Sequence, residues 1–314
     1  MSLWVQIVLT GLAAGSVYGL IGIGHTLVHR LTGIVQFALG DLVGLGVFLT
    51  LLVTAGRGPV TQATAASGRF VLGLVVALVV TTGIGAASYL VVVHPYLVRG
   101  STMGWVAGTV AVAFAIQAFL GALFGRPAYV FPDPIPFHDV GSGGIVTVGG
   151  ASFQVRSLLV IALGLVLAWA VTKTISSTRF GGGLRAVSED VTGAHVVGVP
   201  VDRYVALAFG LVGAVAVVIA VAAAPSGPFT TQTGTLLGLK GLVVALLVRF
   251  STPWAAFAAG LALGVVEAAI SSGTVFGHGL GGPAYREVLP FAAVLVLLAV
   301  RERARRPDVE TELG

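Results

Sequence analysis

Cysteine is absent from this chain of 314 residues, and charged side chains make up only 9% of it. Without cysteine, disulfides and thiolate metal sites are excluded. Soluble domains carry roughly 25% charged residues, and a soluble protein with so few charges could not cover its surface with polar groups. Because 56% of the residues are hydrophobic, the composition indicates a chain whose outer surface faces lipid.

Motifs that carry enzyme chemistry are also missing. No Gly-x-x-x-x-Gly-Lys-Ser/Thr sequence occurs, so the chain binds no nucleotide through a P-loop. The absence of Gly-x-Ser-x-Gly argues against a nucleophile elbow, and the hydrophobic segments lack the paired carboxylates typical of proton-driven pumps. We therefore expect a protein that is not an enzyme and needs no cofactor. The net charge of +5 is attributed to loops between spans and not to nucleic-acid binding.

Long apolar segments predict one all-α polytopic membrane domain over residues 1–314, with about nine Gly-rich helices. Each span needs about 20 apolar residues, and the first is expected to remain as a helix because it lacks signal-peptide features. Gln36, Gly40 and Asp41 interrupt the second span, which suits two short helices, and Lys240 lies in the seventh, a candidate half-span. The predicted spans are 5–28, 33–55, 70–93, 104–124, 157–175, 204–224, 235–249, 254–273 and 285–300.

The positions of lysine and arginine predict the orientation. With the C-terminal tail inside, eleven of these residues fall on the cytoplasmic side and five outside. An odd number of spans then places the N-terminus outside. We expect a cytoplasmic connection over 176–203 and an extracellular one over 125–156, with a β-hairpin at 143–150 where β-branched residues lie between glycines.

Two patterns on the first span allow more than one interpretation. His25 and His29 share a helical face, but no carboxylate completes a ligand set. We therefore do not expect a metal-dependent membrane enzyme, and favour a pair of interfacial histidines. Gly11, Gly15 and Gly19 line another face, which predicts close helix packing; the alternative is a face that slides during gating.

Polar residues within spans are costly in lipid and must face protein or water. They line a solute path in one interpretation and make hydrogen bonds between helices in the other, and Asp41 is predicted to cap a half-helix. Gly-interrupted segments occur at 33–46 and 231–241, one in each half of the chain, and such pairs mark transport sites. The polar residues are Gln36, Asp41, Gln117, Lys240 and Glu267.

The connection 176–203 is predicted to contain one amphipathic helix over 184–197. Its apolar side consists of Val187, Val191, Ala194 and Val197, and Gly198 ends the helix. An isolated helix of this length is marginal in water, so we expect it to dock on a partner protein. The alternative is a helix that lies at the membrane interface without a partner.

Five segments, in order along the chain, resemble the LivH-type permeases of bacterial ABC importers for branched-chain amino acids: 11–24, 33–41, 185–190 with Gly198 and Arg203, 238–245 and 285–301. The resemblance implies a multi-pass protein of the bacterial inner membrane that moves a small polar solute, foremost a branched-chain amino acid, by alternating access. It also implies four kinds of partner: a homologous second permease subunit, two cytoplasmic ATPase subunits that hydrolyse the ATP, an extracellular solute-binding protein, and membrane lipid.

The same resemblance suggests which residues act. The solute pathway is expected along Gln36, Phe37, Gly40, Asp41, Thr235 and Lys240. Coupling to the ATPase is expected at Arg185, Ala186, Glu189, Asp190 and Gly198. The chain departs from the family at Gln36, Leu39 and Asp41, where Asn, His and Glu are usual, and at 248–249, where Gly-Gly is usual. Because a scaffold does not fix the cargo, the alternative is a secondary transporter or channel for a small amide or amino acid such as urea.

Overall fold

Helices dominate the structure, which is a computed structural model that describes residues 2–56, 68–98, 103–125, 128–131, 145–148, 151–272 and 292. The helices are α1 (Ser2–Thr32), α2 (Leu39–Ala55), α3 (Gly68–Ala87), α4 (His94–Val98), α5 (Gly104–Phe124), α6 (Val155–Ser177), α7 (Arg179–Glu189), α8 (Val191–Val196), α9 (Val201–Ala223), α10 (Thr233–Leu247) and α11 (Pro253–Ser271). A π-helical turn, Ser88–Val93, joins α3 to α4, and a 3-10 turn, Ala224–Ser226, follows α9.

Six of these helical segments are long and apolar enough to cross a membrane, and α2 and α10 are shorter apolar helices. The predicted all-α polytopic membrane fold is therefore confirmed. Valines 71, 75 and 79 are exposed along one side of α3, as expected of a helix face in lipid. The predicted ninth span, 285–300, lies outside the described residues apart from position 292. The six segments are Leu3–Arg30, Gly68–Tyr96, Gly104–Phe124, Val155–Ser177, Val201–Ala223 and Pro253–Ser271.

Helices α1 and α11 run antiparallel and approach each other through glycines. A Cβ atom on Gly15 would lie 2.8 Å from the Cα of Leu261, and one on Gly11 would lie 2.5 Å from the Cα of Val265. Since these neighbours are backbone atoms, no side-chain rotation could make room. The predicted glycine face of α1 is therefore the surface on which α11 packs, in agreement with the packing interpretation.

Helix α9 lies against α3 along the centre of the bundle. The Thr81 hydroxyl donates to the Gly213 carbonyl at 2.9 Å. Further along, beyond the start of the π-helical turn, the Tyr89 hydroxyl donates to Asp202 Oδ1 at 2.9 Å. Two hydrogen bonds thus tie this segment to α9, one near the middle of α9 and one near its N-terminal end.

Described residues that border the two long connections lie near opposite ends of α9. Near its C-terminal end, the Arg156 guanidinium donates to the Val221 carbonyl at 2.8 Å, which anchors α6 directly after the hairpin. Near its N-terminal end, the Tyr204 ring stacks on Phe180 of α7 with centroids 5.8 Å apart. Which side of the membrane each connection faces stays a prediction.

The hairpin differs in extent from the prediction. Strand β1 (Ile145–Val148) pairs antiparallel with β2 (Ala151–Gln154), and Val148 lies opposite Ala151. The hairpin therefore extends beyond the predicted range, as far as Gln154. The prediction of a hairpin within 143–150 was wrong in extent, because it took the alternating run as both strands when it forms only the first.

The connection 176–203 also differs from its prediction. Two short helices, α7 and α8, replace the single helix 184–197, because Asp190 between them has an extended backbone with φ −151° and ψ 104°. The first helix begins earlier, where the Thr178 hydroxyl accepts a hydrogen bond from the Gly181 N–H at 2.9 Å and caps it. Val197, predicted on the apolar side, is 74% exposed. Gly198 follows with φ +81°, as expected of a helix-ending glycine.

Candidate functional site

A short non-helical stretch, which we call the break, separates α1 from α2 within the bundle. Residues 33–38 are not helical, Gly33 has φ +69°, and α2 begins only at Leu39. Gln36 lies in this break, buried, and neither polar atom of its amide makes a hydrogen bond within the described structure. A buried amide of this kind can bind water or a polar solute. Phe37 beside it is half-buried.

Asp41 does not cap α2, and that prediction was wrong. The N-cap position belongs to Ala38, which makes no side-chain capping bond, and Asp41 lies within the first turn of the helix. Its carboxylate accepts a hydrogen bond from the Thr235 hydroxyl at 2.6 Å, and Gln117 of α5 approaches it too. Near a helix N-terminus a carboxylate is favoured by the helix dipole, so the position is stabilising even without a capping bond.

The two Gly-interrupted segments meet at this point. The first turn of α2 crosses the first turns of α10, and a Cβ atom on Gly40 would lie 2.6 Å from the Cα of Gly238 and directly against the Gly234 carbonyl. The sequence pointed to both segments without giving their contact. The crossing brings two helix N-termini, Asp41 and Thr235 into one place, a setting that suits a polar or charged solute.

The two predicted interfacial histidines lie in different surroundings. His25 is buried inside the bundle, with Nε2 3.2 Å from the Gly238 carbonyl oxygen, and its assignment to the membrane interface stays a prediction. His29 stacks on Phe250 with ring centroids 3.9 Å apart. His25 therefore joins α1 to the crossing of α2 and α10, while His29 packs on the turn after α10.

A second polar site joins α1, α10 and α11. Lys240 Nζ donates to both carboxylate oxygens of Glu267, at 3.1 and 3.2 Å, and to the Tyr18 hydroxyl at 3.2 Å. It also lies 5.0 Å from the centroid of the Tyr18 ring, within cation–π range. All three side chains are buried. We call Tyr18, Lys240 and Glu267 the charge cluster.

The sequence indicated only two of the three residues of this cluster. Lys240 was assigned to the solute pathway and Glu267 was recognised as an intramembrane polar residue, but neither was paired with the other. A lone lysine and a lone glutamate in consecutive predicted spans are a usable signal, because each charge needs a partner in lipid. Tyr18 gave no such signal. The predicted pathway residues thus separate into the α2–α10 crossing and the charge cluster.

Two clefts of about 360 Å³ each flank the charge cluster. Ala14 of α1 lines both. Tyr18 and Lys240 line the first cleft, together with apolar residues of α1, α9 and α10, and Glu267 lines the second. Their volumes fall within the range of small-molecule sites.

The predicted coupling residues lie on the outer side of α7 and at its end. Leu184 and Val187 are buried against the bundle, whereas Arg185, Glu189 and Asp190 are exposed and Ala186 is half-buried. Beyond the break at Asp190, the surface continues with Val196 and Val197, which are 83% and 74% exposed, and with exposed Gly198. We call the exposed residues of α7, α8 and the following turn the coupling surface. It combines charged groups with exposed valines, as protein-binding surfaces do.

These features define a multi-pass membrane protein with broken helices inside the bundle and an exposed helix pair at one end. The chain belongs to the family described as the permease component of branched-chain amino acid transport systems, whose model matches residues 7–298. It is therefore a transport permease and not an enzyme.

Characterised relatives cover almost the full length of the chain. It is 26% identical over 315 residues to the high-affinity branched-chain amino acid transport system permease protein BraD of Pseudomonas aeruginosa, covering 98% of this chain and 97% of BraD. Identity is also 26% to LivH of Salmonella typhimurium, with the same coverage. LivH of Escherichia coli K12 is 25% identical over 319 residues, again covering 98% of this chain and 97% of the relative.

Proposed function

We propose that this protein is the permease subunit of an ATP-binding-cassette importer in a bacterial inner membrane, and that it translocates branched-chain amino acids by alternating access. Its relatives are named for branched-chain amino acid transport. The proposed complex contains a homologous second permease subunit, two cytoplasmic ATPase subunits and an extracellular solute-binding protein. Since the chain lacks a P-loop, ATP hydrolysis belongs to the ATPase subunits.

The observation that carries this proposal is the coupling surface. Two helices of 11 and 6 residues are too short to be stable in water without tertiary support. The buried side chains of α7 hold this helix on the bundle. Its charged residues are exposed, and so are Val196 and Val197 at and just after the end of α8. An ATPase that docks there would transmit its closure through α7 to α9, because Tyr204 of α9 stacks on Phe180.

The solute path is proposed to pass the crossing of α2 and α10. Gln36 and Asp41 supply an amide and a carboxylate, and Thr235 supplies a hydroxyl. Gly40 allows the two helices to approach, Phe37 lies in the non-helical stretch before α2, and Lys240 follows Thr235 on α10 after about 1.4 turns. A cavity that opens alternately to either side at this crossing would pass a small polar solute.

Reconstitution tests the function directly. The permease pair, the ATPases and the binding protein are placed in proteoliposomes, and uptake of radiolabelled leucine is measured with and without ATP on the ATPase side. We expect uptake only when ATP and the ATPase subunits are both present. Leucine flux through the permease alone, driven by an ion gradient, would contradict the proposal and favour the secondary-transporter alternative.

The coupling surface is tested by a matched pair of exposed valines. Val196→Ser removes an apolar side chain from the coupling surface. Val130→Ser removes one elsewhere, since Val130 is 67% exposed and lies at the end of the bundle that carries the hairpin. We expect Val196→Ser to reduce co-purification of the ATPase and transport-linked ATP hydrolysis several-fold, and Val130→Ser to retain both. Charge reversal at Arg185 or Glu189 should act like Val196→Ser. Equal ATPase recovery from all variants would refute the assignment of the docking surface.

A further inference from the structure

The charge cluster has the chemistry of a binding site for a zwitterion. We propose that Lys240 and Glu267 bind the carboxylate and the ammonium of an α-amino acid during translocation, with the Tyr18 hydroxyl as a further polar contact. This inference rests on the proposed function, because it assigns residues to the cargo of that importer. It adds Tyr18, and it gives a definite role to Glu267, which one interpretation of the sequence placed along a solute path.

The geometry of the cluster favours exchange of partners. Lys240 Nζ is held by three oxygen atoms at 3.1 to 3.2 Å, two of Glu267 and one of Tyr18. An incoming carboxylate can replace Glu267 on the ammonium group of Lys240 with contacts of the same kind. The released Glu267 carboxylate can then accept hydrogen bonds from the ammonium group of the solute.

Electrostatics selects the class of solute. The two side chains are 7% and 2% exposed, and separating a buried ion pair without new partners leaves uncompensated charges at high cost. A zwitterion supplies one charge for each, so both remain paired throughout the exchange. A neutral amide such as urea, or a solute with a single charge, would leave at least one buried charge without a full partner.

The clefts provide room for an apolar side chain beside the charges. The cleft that Lys240 lines is bounded mainly by apolar groups: Ala14, Val17, Phe229, Leu236 and Leu237. An aliphatic side chain in this cleft would lie next to the ammonium group that holds its own carboxylate. Glu267 faces the neighbouring cleft, which also contains Gln6 and Thr10. The site therefore suits a small zwitterion with an aliphatic side chain.

The test measures direct binding of radiolabelled leucine to the full transporter complex in nanodiscs, without the solute-binding protein, by scintillation proximity. Two analogues of leucine then compete for binding to the unaltered complex: 4-methylpentanoate, which lacks the ammonium group, and 3-methylbutylamine, which lacks the carboxylate. We expect each to compete roughly tenfold to hundredfold more weakly than leucine, as loss of one charge-assisted contact predicts. Competition by either analogue within about threefold of leucine would overturn the proposal, and this arm requires no altered residue.

A neutral pair of substitutions provides the second arm. Lys240→Met with Glu267→Gln removes both charges together, which leaves no unpaired buried charge and should preserve folding. We expect leucine binding to weaken roughly tenfold or more, with ATPase subunits still co-purifying. Lys173→Met is the matched control, because Lys173 is the other lysine of the chain and is exposed on α6. Tyr18→Phe should weaken binding by a few-fold only.

The outcomes separate this inference from the proposed function. If the neutral pair binds and transports leucine like the unaltered complex, the inference is wrong and the importer function stands. If the unaltered complex shows no ATP-dependent leucine uptake in proteoliposomes, the proposed function is wrong, and the inference is overturned with it.

Discussion

Replacement of Gly260 by alanine tests the close approach of α1 and α11 described above. A Cβ atom at this position would lie 2.8 Å from the Gly15 carbonyl oxygen and closer still to the backbone of Gly19. Ordinary contacts of a Cβ atom begin near 3.4 Å, so the helices must separate by at least about 0.6 Å. A gap of that size forfeits a quarter to a half of each dispersion contact, and on the order of 40 contacts of ~0.15 kcal/mol lose about 2 kcal/mol.

A matched substitution isolates this loss. Gly83→Ala in α3 also replaces a helical glycine, but nothing lies within 4 Å of the added Cβ atom. Both substitutions gain the same helix propensity, about 1 kcal/mol, so their difference reports the packing alone. Since 1 kcal/mol shifts the midpoint of thermal unfolding by about 2–4 °C in domains of 150–250 residues, we expect Gly260→Ala to unfold roughly 4–8 °C below Gly83→Ala.

The assay is thermal unfolding in detergent, followed by the fluorescence of the four tryptophans. Each variant is compared with the unaltered protein at the same detergent and protein concentration. Equal midpoints for Gly260→Ala and Gly83→Ala would refute the reasoning, because they would mean that α1 and α11 are not in backbone contact at Gly260.

Two further predictions concern stability elsewhere. Arg249 is exposed with φ +53°, a conformation that costs a non-glycine residue about 1 kcal/mol, so Arg249→Gly should raise the midpoint of thermal unfolding. Phe250→Gly should lower this midpoint because the stacking on His29 is lost. A lower midpoint for Arg249→Gly would contradict this account. Thr178→Ala removes the cap of α7, worth about 1 kcal/mol, and should speed hydrogen exchange of the Gly181 amide about fivefold while exchange in α11 stays unchanged; unaltered exchange at Gly181 would show that the cap is dispensable.

Much of the fold follows from the sequence because lipid imposes a simple rule. A long apolar segment must form a helix that satisfies its own backbone hydrogen bonds, and eight predicted spans correspond to described helices within a few residues. Helix ends were harder. The interruption of the second span was expected at Gln36, Gly40 and Asp41. Gln36 does lie in the non-helical stretch 33–38, whereas Gly40 and Asp41 lie inside the first turn of α2.

The candidate site was less predictable, since it depends on contacts between distant segments. The polarity of Lys240 and Glu267 is visible in the sequence, but their pairing across 27 positions requires α10 and α11 to turn back on each other. Tyr18 lies 222 positions from Lys240 and resembles any other aromatic residue of a span. The break at Asp190 was missed because apolar spacing continues through it, although its backbone is extended.

The π-helical turn after α3 has a consequence for how one membrane helix keeps its contacts with α9 at two levels. A π-turn holds an additional residue, and one residue corresponds to about 100° of rotation in an α-helix. The residues after the turn are therefore rotated relative to those before it. Thr81, before the turn, donates to the Gly213 carbonyl of α9, and His94, directly after the turn, lies with Nε2 3.3 Å from Asp202 Oδ1 of the same helix. The part of this helix before the π-helical turn and the part near the coupling surface therefore present their side chains in different directions, although the helix is continuous.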